Sequence, residues 1–252
     1  MAHTSPTVLK QCQDALRELG LPVPDSVANA PDSTGAQMFG LWNALGQELY
    51  EQYRWKELEK TFDFFTVEGQ EAYPLPADWA GPIDQTEWDK TNHWSLIGQA
   101  TPQQWQTLKS GIVALGPRLR YRYVNDTIEL FPTPATVQGS GQSFAPFKLS
   151  FMYYANGWVI EQDGTTAQFA TTDAATTMFN TRMMINGIKL KLWEIKGFDT
   201  TALQKNYDVS FNQAMSRNQG APRLSLSPRV SPIYIGPWNI SDGNWNTGPT
   251  GP

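Results

Sequence analysis

Gln52–Leu75 reads QYRWKELEKTFDFFTVEGQEAYPL, and within it the hydrophobic period changes from that of a helix to that of a strand. Upstream, Trp42, Leu45, Leu49 and Tyr53 recur at three- and four-residue spacing, the inward stripe of a helix predicted over 36–60. From Thr61 the pattern is different. Thr61–Val67 is rich in Phe and Thr and reads as a strand, Glu68-Gly69 as a turn, and Glu71–Leu75 as its hairpin partner. The chain thus leaves a helical region and enters a β region at Thr61.

The β region continues downstream. Arg118–Val124 alternates Arg, Leu, Arg, Tyr, Arg, Tyr, giving one polar and one apolar face, with Asn125-Asp126 as a turn and Thr127–Phe131 as the return strand. Lys148–Ala155 and Trp158–Gln162 flank Asn156-Gly157, the strongest short hairpin signal in the chain. Between the early strands of 61–75 and these later ones, Thr101-Pro102 caps a short helix that carries Trp105 and Leu108. The middle of the chain is therefore antiparallel β with one small helix.

Helices flank it on both sides. Ser5 as cap and Pro6 in the first turn start a helix whose face is Leu9, Cys12, Leu16 and Leu19, ended by Gly20 and Pro22. After Phe169, Thr172 or Asp173 is predicted to cap a long helix to Lys196, with Met178, Ile185, Ile188, Leu192 and Ile195 at heptad-like spacing; Gly187 inside it marks close packing, and Gly197 closes it. Met183 and Met184 read as core. Thr200 or Thr201 opens a last helix through Leu203, Tyr207, Phe211 and Ala214, ended by Gly220 and Pro222. The expected fold class is α+β: a helical bundle of 1–60 and 171–220, an inserted antiparallel β-barrel or sandwich over 61–170, and an extended C-terminal arm over 221–252.

The arm reads APRLSLSPRVSPIYIGPWNISDGNWNTGPTGP from Ala221 to Pro252. Its prolines break helices and remove ladder donors, so it cannot fold by itself. Its apolar residues Ile233, Tyr234, Ile235, Trp238, Ile240 and Trp245 nevertheless favour burial, which points to docking on its own body or on a neighbouring chain.

Composition narrows the function classes. In 252 residues, 40% are apolar and 17% charged, which describes a folded chain with a weakly charged surface rich in Gln, Asn, Thr and Ser. A net charge of −5 argues against a general phosphate-neutralising surface. Arg118, Arg120 and Arg122 are the dense basic feature: they share one strand face and suit contact with phosphate or a partner's acids, unless they are simply the solvated outer face of a hairpin. Cys12 is the sole thiol, so no internal disulfide forms, and the N-terminus MAHTSPTVLKQC lacks the blocks of a signal peptide. The apolar runs are too short to span a membrane.

Catalytic chemistry finds little to use. With His3, His93 and Cys12 alone there are too few ligands for a zinc site, and Cys12 lies in an apolar stripe where a buried inert thiol is expected instead of a nucleophile paired with His93. No cofactor is implied. Asp84, Glu87 and Asp89, set among Trp79, Trp88 and Trp94, leave one alternative, a carbohydrate-binding module or weak glycosidase; otherwise the acids face solvent and the tryptophans pack the β region.

A series of motifs carries a resemblance. DALRELG (Asp14–Gly20) is followed by QYRWKELEK (Gln52–Lys60), YPLPADW (Tyr73–Trp79), TEWDKT (Thr86–Thr91), TPQQWQTLKSG (Thr101–Gly111), RLRYRYVNDTIELFPTP (Arg118–Pro134) and LSFMYYANGWV (Leu149–Val159). In this order they resemble the head-to-tail adaptors of short-tailed bacteriophages, the tail tubular protein A or connector-ring proteins. The resemblance spans about Asp14 to Met215 and departs from the shortest members in the longer tail and the Gln138–Pro146 loop. It implies a structural virion protein and not an enzyme: a dodecameric ring between the portal protein and the tail nozzle protein, around a channel through which DNA passes without sequence-specific binding. Such a protein is assembled in the host cytoplasm and ends at the head-to-tail junction of the virion. It also implies an arm that embraces the portal or an adjacent subunit, with Tyr234, Trp238 and Trp245 as anchors.

Overall fold

A computed structural model of the protein describes residues 5–31, 33–111, 118–134, 137–138, 142–143 and 146–219. The chain separates into two units, Met1–Asn218 and Gln219–Pro252. The predicted docking residues of the arm, Ile233, Tyr234, Ile235, Trp238, Ile240 and Trp245, lie outside the described residues, as does most of the 138–146 loop.

The first helix, α1 (Val8–Glu18), opens on Thr7, whose hydroxyl accepts from Lys10 N at 3.3 Å. The predicted start at Ser5 and Pro6 comes too early because Thr7 is paired in extended form with Thr176. α2 (Ser33–Gln52) turns Trp42, Leu45 and Leu49 inward but stops at Gln52 rather than Lys60. Buried Trp55 explains the stop: its indole Nε1 donates to the Leu49 carbonyl at 2.7 Å, one of the carbonyls that a helix end leaves open. A single 3-10 turn, Lys56–Leu58, follows, and Lys56 N donates to Asn218 Oδ1 at 3.0 Å. The first strand consequently begins at Glu59, before Thr61.

The strands among the described residues are β1 (Glu59–Phe65), β2 (Ala72–Pro74), β3 (Trp79–Pro82), β4 (Trp88–Asp89), β5 (Trp94–Ser95), β6 (Arg120–Val124), β7 (Thr127–Phe131), β8 (Val137–Gln138), β9 (Gln142–Ser143), β10 (Lys148–Ala155), β11 (Val159–Ile160), β12 (Thr166–Ala167) and β13 (Thr176–Thr177), with α3 (Pro102–Lys109) between β5 and β6. All strand pairs are antiparallel. β10 is the hub: β1 pairs with all of it but Ala155, from Glu59↔Tyr154 to Phe65↔Lys148, while β3 and β4 also pair with it and β5 lies beyond β4. A second sheet runs β2-β7-β6, a third β12-β11-β13, and β8 pairs with β9.

Of three predicted hairpins, one forms. β6 and β7 pair across Asn125 and Asp126, whose φ angles of 46° and 58° are those of a type I′ turn. Glu68-Gly69 does turn the chain, but β1 joins β10 while β2 joins β7. Asn156-Gly157 likewise separates sheets, with β10 on one side and β11 paired to β12 and β13 on the other. None of the sheets closes into a barrel.

The long helix α4 (Thr181–Lys196) begins at Asn180, whose side chain accepts from Arg182 N and Met183 N at 3.0 and 3.2 Å. It does not begin at Thr172 or Asp173, because β13 occupies that span and the Asp173 carboxylate accepts from Val27 N and Ala28 N at 2.9 and 2.8 Å. Ile185, Ile188, Leu192, Met183 and Met184 are core, but Met178 precedes the helix and Ile195 is 59% exposed. α4 packs on α1 and α2, and Gly187 is where α2 comes close: a β-carbon there would lie 2.5 Å from a Leu45 methyl carbon. α5 (Thr201–Gln219) adds Tyr207, Phe211, Ala214 and Met215 to the same core.

There are two apolar clusters. One gathers α1, α2, α4 and α5 around Trp42, Trp55, Trp158 and Phe179. The other joins the sheets: Tyr73, Tyr121, Ile128 and Leu130 from β2, β6 and β7 meet Leu149, Phe151 and Tyr153 from β10.

Candidate functional site

The polar face of β6 is covered by α3. Thr101 caps that helix through a reciprocal box, its hydroxyl accepting from Gln104 N while Gln104 Oε1 accepts from Thr101 N. Pro102 takes the first turn, and the helix buries one large residue, Trp105, against Phe131 of β7. Arg122 lies over the Trp105 ring at 4.6 Å, and Lys109 over the Phe131 ring at 5.1 Å. Both cations are also paired, Arg122 with Glu129 at 2.6 Å and Lys109 with Glu71 at 2.5 Å.

The arginine row therefore does not act as three equivalent contacts. Leu119 and Tyr121 point to the core and the arginines to the other face, as the alternation predicts. That face is half-buried, not solvated, because α3 sits on it. Arg122 is committed to Glu129 and Trp105, and Arg118 is not free. Arg120 differs. Its Nη1 is shut off from solvent and has no hydrogen-bond partner, and the side chain lines a cleft of about 660 Å³ with Ile97, Gln99, Ala100, Gln103, Gln104 and Thr107. Residues 97–100 run along β6, with Tyr121 N donating to Ile97 O at 3.1 Å and Ala100 N to Tyr121 O at 3.0 Å.

Sequence reading did not find this cleft. TPQQWQTLKSG was informative for its cap and Trp105, whereas the other face of α3, with Gln103, Gln104 and Thr107, is an uncharged polar stripe of the kind that any exposed helix carries. The signal available was the contrast between that stripe and an arginine-bearing strand lying next to it.

The acidic group is built into the fold. Glu87 is 3% exposed and accepts from the Tyr123 hydroxyl at 2.9 Å. Burial, and then the Glu87 charge, push the Tyr123 phenol well above its usual range. Asp89 is 1% exposed and holds the following turn, accepting from Thr91 N, Asn92 N and Asn92 Nδ2 at 2.8, 3.0 and 2.8 Å. The expectation that these acids face solvent thus holds for Asp84 alone. Trp79 is packed with Tyr123, Phe151 and Tyr153, at ring separations of 5.0 to 5.5 Å, while Trp88 is exposed and Trp94 half-buried. The three tryptophans do not share one exposed surface.

Cys12 is fully buried in the helical core, and burial, reinforced by Asp173, pushes its thiol up to about 12. His93 sits exposed in the turn after β4. Among the described residues no three His, Cys, Asp or Glu side chains gather as metal ligands, and no helix is long and apolar enough to cross a membrane.

The model of the SU10 adaptor protein family matches residues 9–232, nearly nine-tenths of the chain. The chain belongs to the SU10 adaptor protein family. No curated protein matches it. As an SU10 adaptor it is a structural protein of the phage virion, of the head-to-tail adaptor type. The match begins within α1 and runs through α5, so both apolar clusters and the Arg120 cleft belong to the SU10 adaptor body. It also continues past α5 to residue 232, into the first part of the predicted arm.

Proposed function

We propose that the protein is the head-to-tail adaptor of a short-tailed phage, assembled in the host cytoplasm. Its copies form a dodecameric ring between portal and tail nozzle, around the channel through which DNA passes. The family match over residues 9–232 carries this reading, because it extends over nearly all of the described body rather than over one motif. The helices of 1–60 and 171–220 act as a bundle, the region 61–170 as its insertion, and 221–252 as the arm that docks on a neighbouring subunit or the portal.

Two physical points support it. An acidic chain, at −5, favours a lumen that does not hold phosphate tightly, so DNA slides. A surface of Gln, Thr and Asn forms many modest hydrogen bonds at subunit interfaces. Cryo-electron microscopy of the native assembly tests the proposal. The expected result is a rotationally symmetric ring around a channel, with residues 233–245 crossing onto a neighbouring chain or a portal. A lone monomer in the particle, away from the head-to-tail junction, would overturn it.

A further inference from the structure

We propose that the cleft between residues 97–100 and α3 is a docking site for an acidic side chain of a partner protein segment, with Arg120 as the receiving group. The inference rests on the assembly reading above for the setting in which the partner meets the cleft, but its chemistry is a property of this chain alone.

One buried hydrogen-bond donor on β6 is left unmet. An arginine side chain stays charged at any relevant pH and carries five N–H donors. Arg122 on the same face is satisfied by Glu129 and by the Trp105 ring. Arg120 Nη1, by contrast, has no hydrogen-bond partner among the described residues and is shut off from bulk water. A buried donor without an acceptor is unfavourable, and more so when it is charged. Arg120 nevertheless lines an open cleft, from which a carboxylate would balance the charge of the guanidinium.

The cleft itself is built rather than incidental. Its first wall is pinned to β6 by the two backbone hydrogen bonds between 97–100 and Tyr121, and the approach is so close that a β-carbon on Gly98 would lie 2.6 Å from the Tyr121 ring. Its second wall is a helix fixed by a complete capping box and by buried Trp105. Both walls are therefore in place before any ligand arrives.

The lining then selects the ligand. Arg120 is the cation among the described lining residues; the others are uncharged, polar at Gln99, Gln103, Gln104 and Thr107 and apolar at Ile97, Ala100 and Leu108, with Gly98. A groove that tracks a nucleic-acid backbone needs clustered Lys and Arg, one for each phosphate neutralised. A single guanidinium, flanked by amides and short apolar patches, matches one carboxylate on a peptide instead, and a planar fork receives a carboxylate through two parallel hydrogen bonds.

The test is NMR titration of the full-length chain, following the Arg120 Nε–H and the Ala100 and Gln104 amides. The probes are N-acetyl-glutamate α-amide, its neutral glutamine counterpart, inorganic phosphate and a short DNA duplex. Saturable shifts with the glutamate probe and none with the glutamine probe are expected. Arg120→Gln should weaken glutamate binding by about tenfold or more, the equivalent of one charge-assisted hydrogen bond. Arg120→Lys, which keeps the charge and the fold but loses the fork geometry, should give an intermediate loss. Absence of saturable shifts, shifts that persist undiminished in both variants, or tighter binding of phosphate or duplex would each overturn the assignment. Because the titration needs no ring, failure here leaves the ring proposal standing, and a failed ring leaves this one standing.

Discussion

A β-carbon on Gly46 would lie 1.8 Å from Cη2 of Trp158. The indole rests directly on the backbone of α2, tilted against Trp42 at 4.9 Å and stacked on Phe179 at 5.4 Å. Trp158 follows β10, the strand that the largest sheet is built on, so this contact fastens the sheet's central strand to the helical core. Gly46→Ala has no room to relax except by moving a large, fully buried ring. It should cost about 3 kcal/mol, the upper end of overpacking penalties. Urea unfolding followed by tryptophan fluorescence measures it, and a loss below about 0.5 kcal/mol would show that the ring is not held there.

The same residue pair explains what sequence could and could not convey. Local signals with a local outcome were legible: Asn125-Asp126 turned a hairpin, and Thr101-Pro102 capped α3. Asn156-Gly157 is an equally good local signal, but the partner of Trp158 is Gly46, more than a hundred positions away, and burial of an indole outweighs a turn preference. Asp173 failed as a cap for a similar reason. Its carboxylate satisfies the Val27 and Ala28 amides, and no pattern around position 173 announces them. The arginine row was legible as a face, but not the division of labour within it. That division depends on Glu129 from the paired strand and on α3 folding over the top.

Cys12 offers a clean probe of the helical core. Its thiol is fully buried and pushed up to about 12, so neither access nor thiolate is available near neutral pH. A disulfide reagent such as Ellman's should titrate no thiol in the native chain at pH 8 over an hour and one thiol per chain in denaturant. Rapid native labelling would mean that α1 opens readily.

Acid should weaken the link between α1 and α4. Glu18 accepts from Arg182 and, at 2.5 Å, from Lys189, whose side chain is only 6% exposed. The Arg182 hydrogen bond, and then the Lys189 contact, hold the Glu18 carboxyl below the usual range. A carboxyl depressed in the folded state contributes stability above its unfolded value of about 4.3 and loses it as pH falls through the folded value. Glu18→Gln should cost about 2 kcal/mol at pH 7, less than a fully buried pair because Glu18 is 36% exposed. Its urea midpoint should also fall less steeply than that of the parent between about pH 5 and 3. Parallel pH profiles would remove Glu18 from this role.

Glu87 should behave as a structural acid. Tyr123→Phe deletes the hydroxyl that serves a buried carboxylate, so it should destabilise by about 2 kcal/mol. Thermal unfolding of the variant checks the value. An unchanged midpoint, together with glycoside hydrolysis that depends on Glu87, would instead favour a catalytic carboxyl.

The arm can be separated from the body by truncation after Gly220. The first unit of the chain, Met1–Asn218, holds every described residue of the two apolar clusters, and α5 ends at Gln219, so truncation after Gly220 leaves all of those residues in place. The truncated chain should retain the cooperative unfolding of the parent, with a midpoint within a few degrees. What it should lose is association. Ile233, Tyr234, Ile235, Trp238, Ile240 and Trp245 supply large apolar area to a segment whose prolines prevent it from folding alone, and such segments gain their order from the surface they dock on. Sedimentation of the chain mixed with purified portal rings distinguishes the cases: the full chain should co-sediment, and the truncated one should stay in the supernatant. Restoring Trp238 and Trp245 as alanines in the full-length chain should give most of the same loss, because buried aromatic anchors carry a disproportionate share of interface energy. Undiminished co-sedimentation of the truncated chain would place the contact on the body instead.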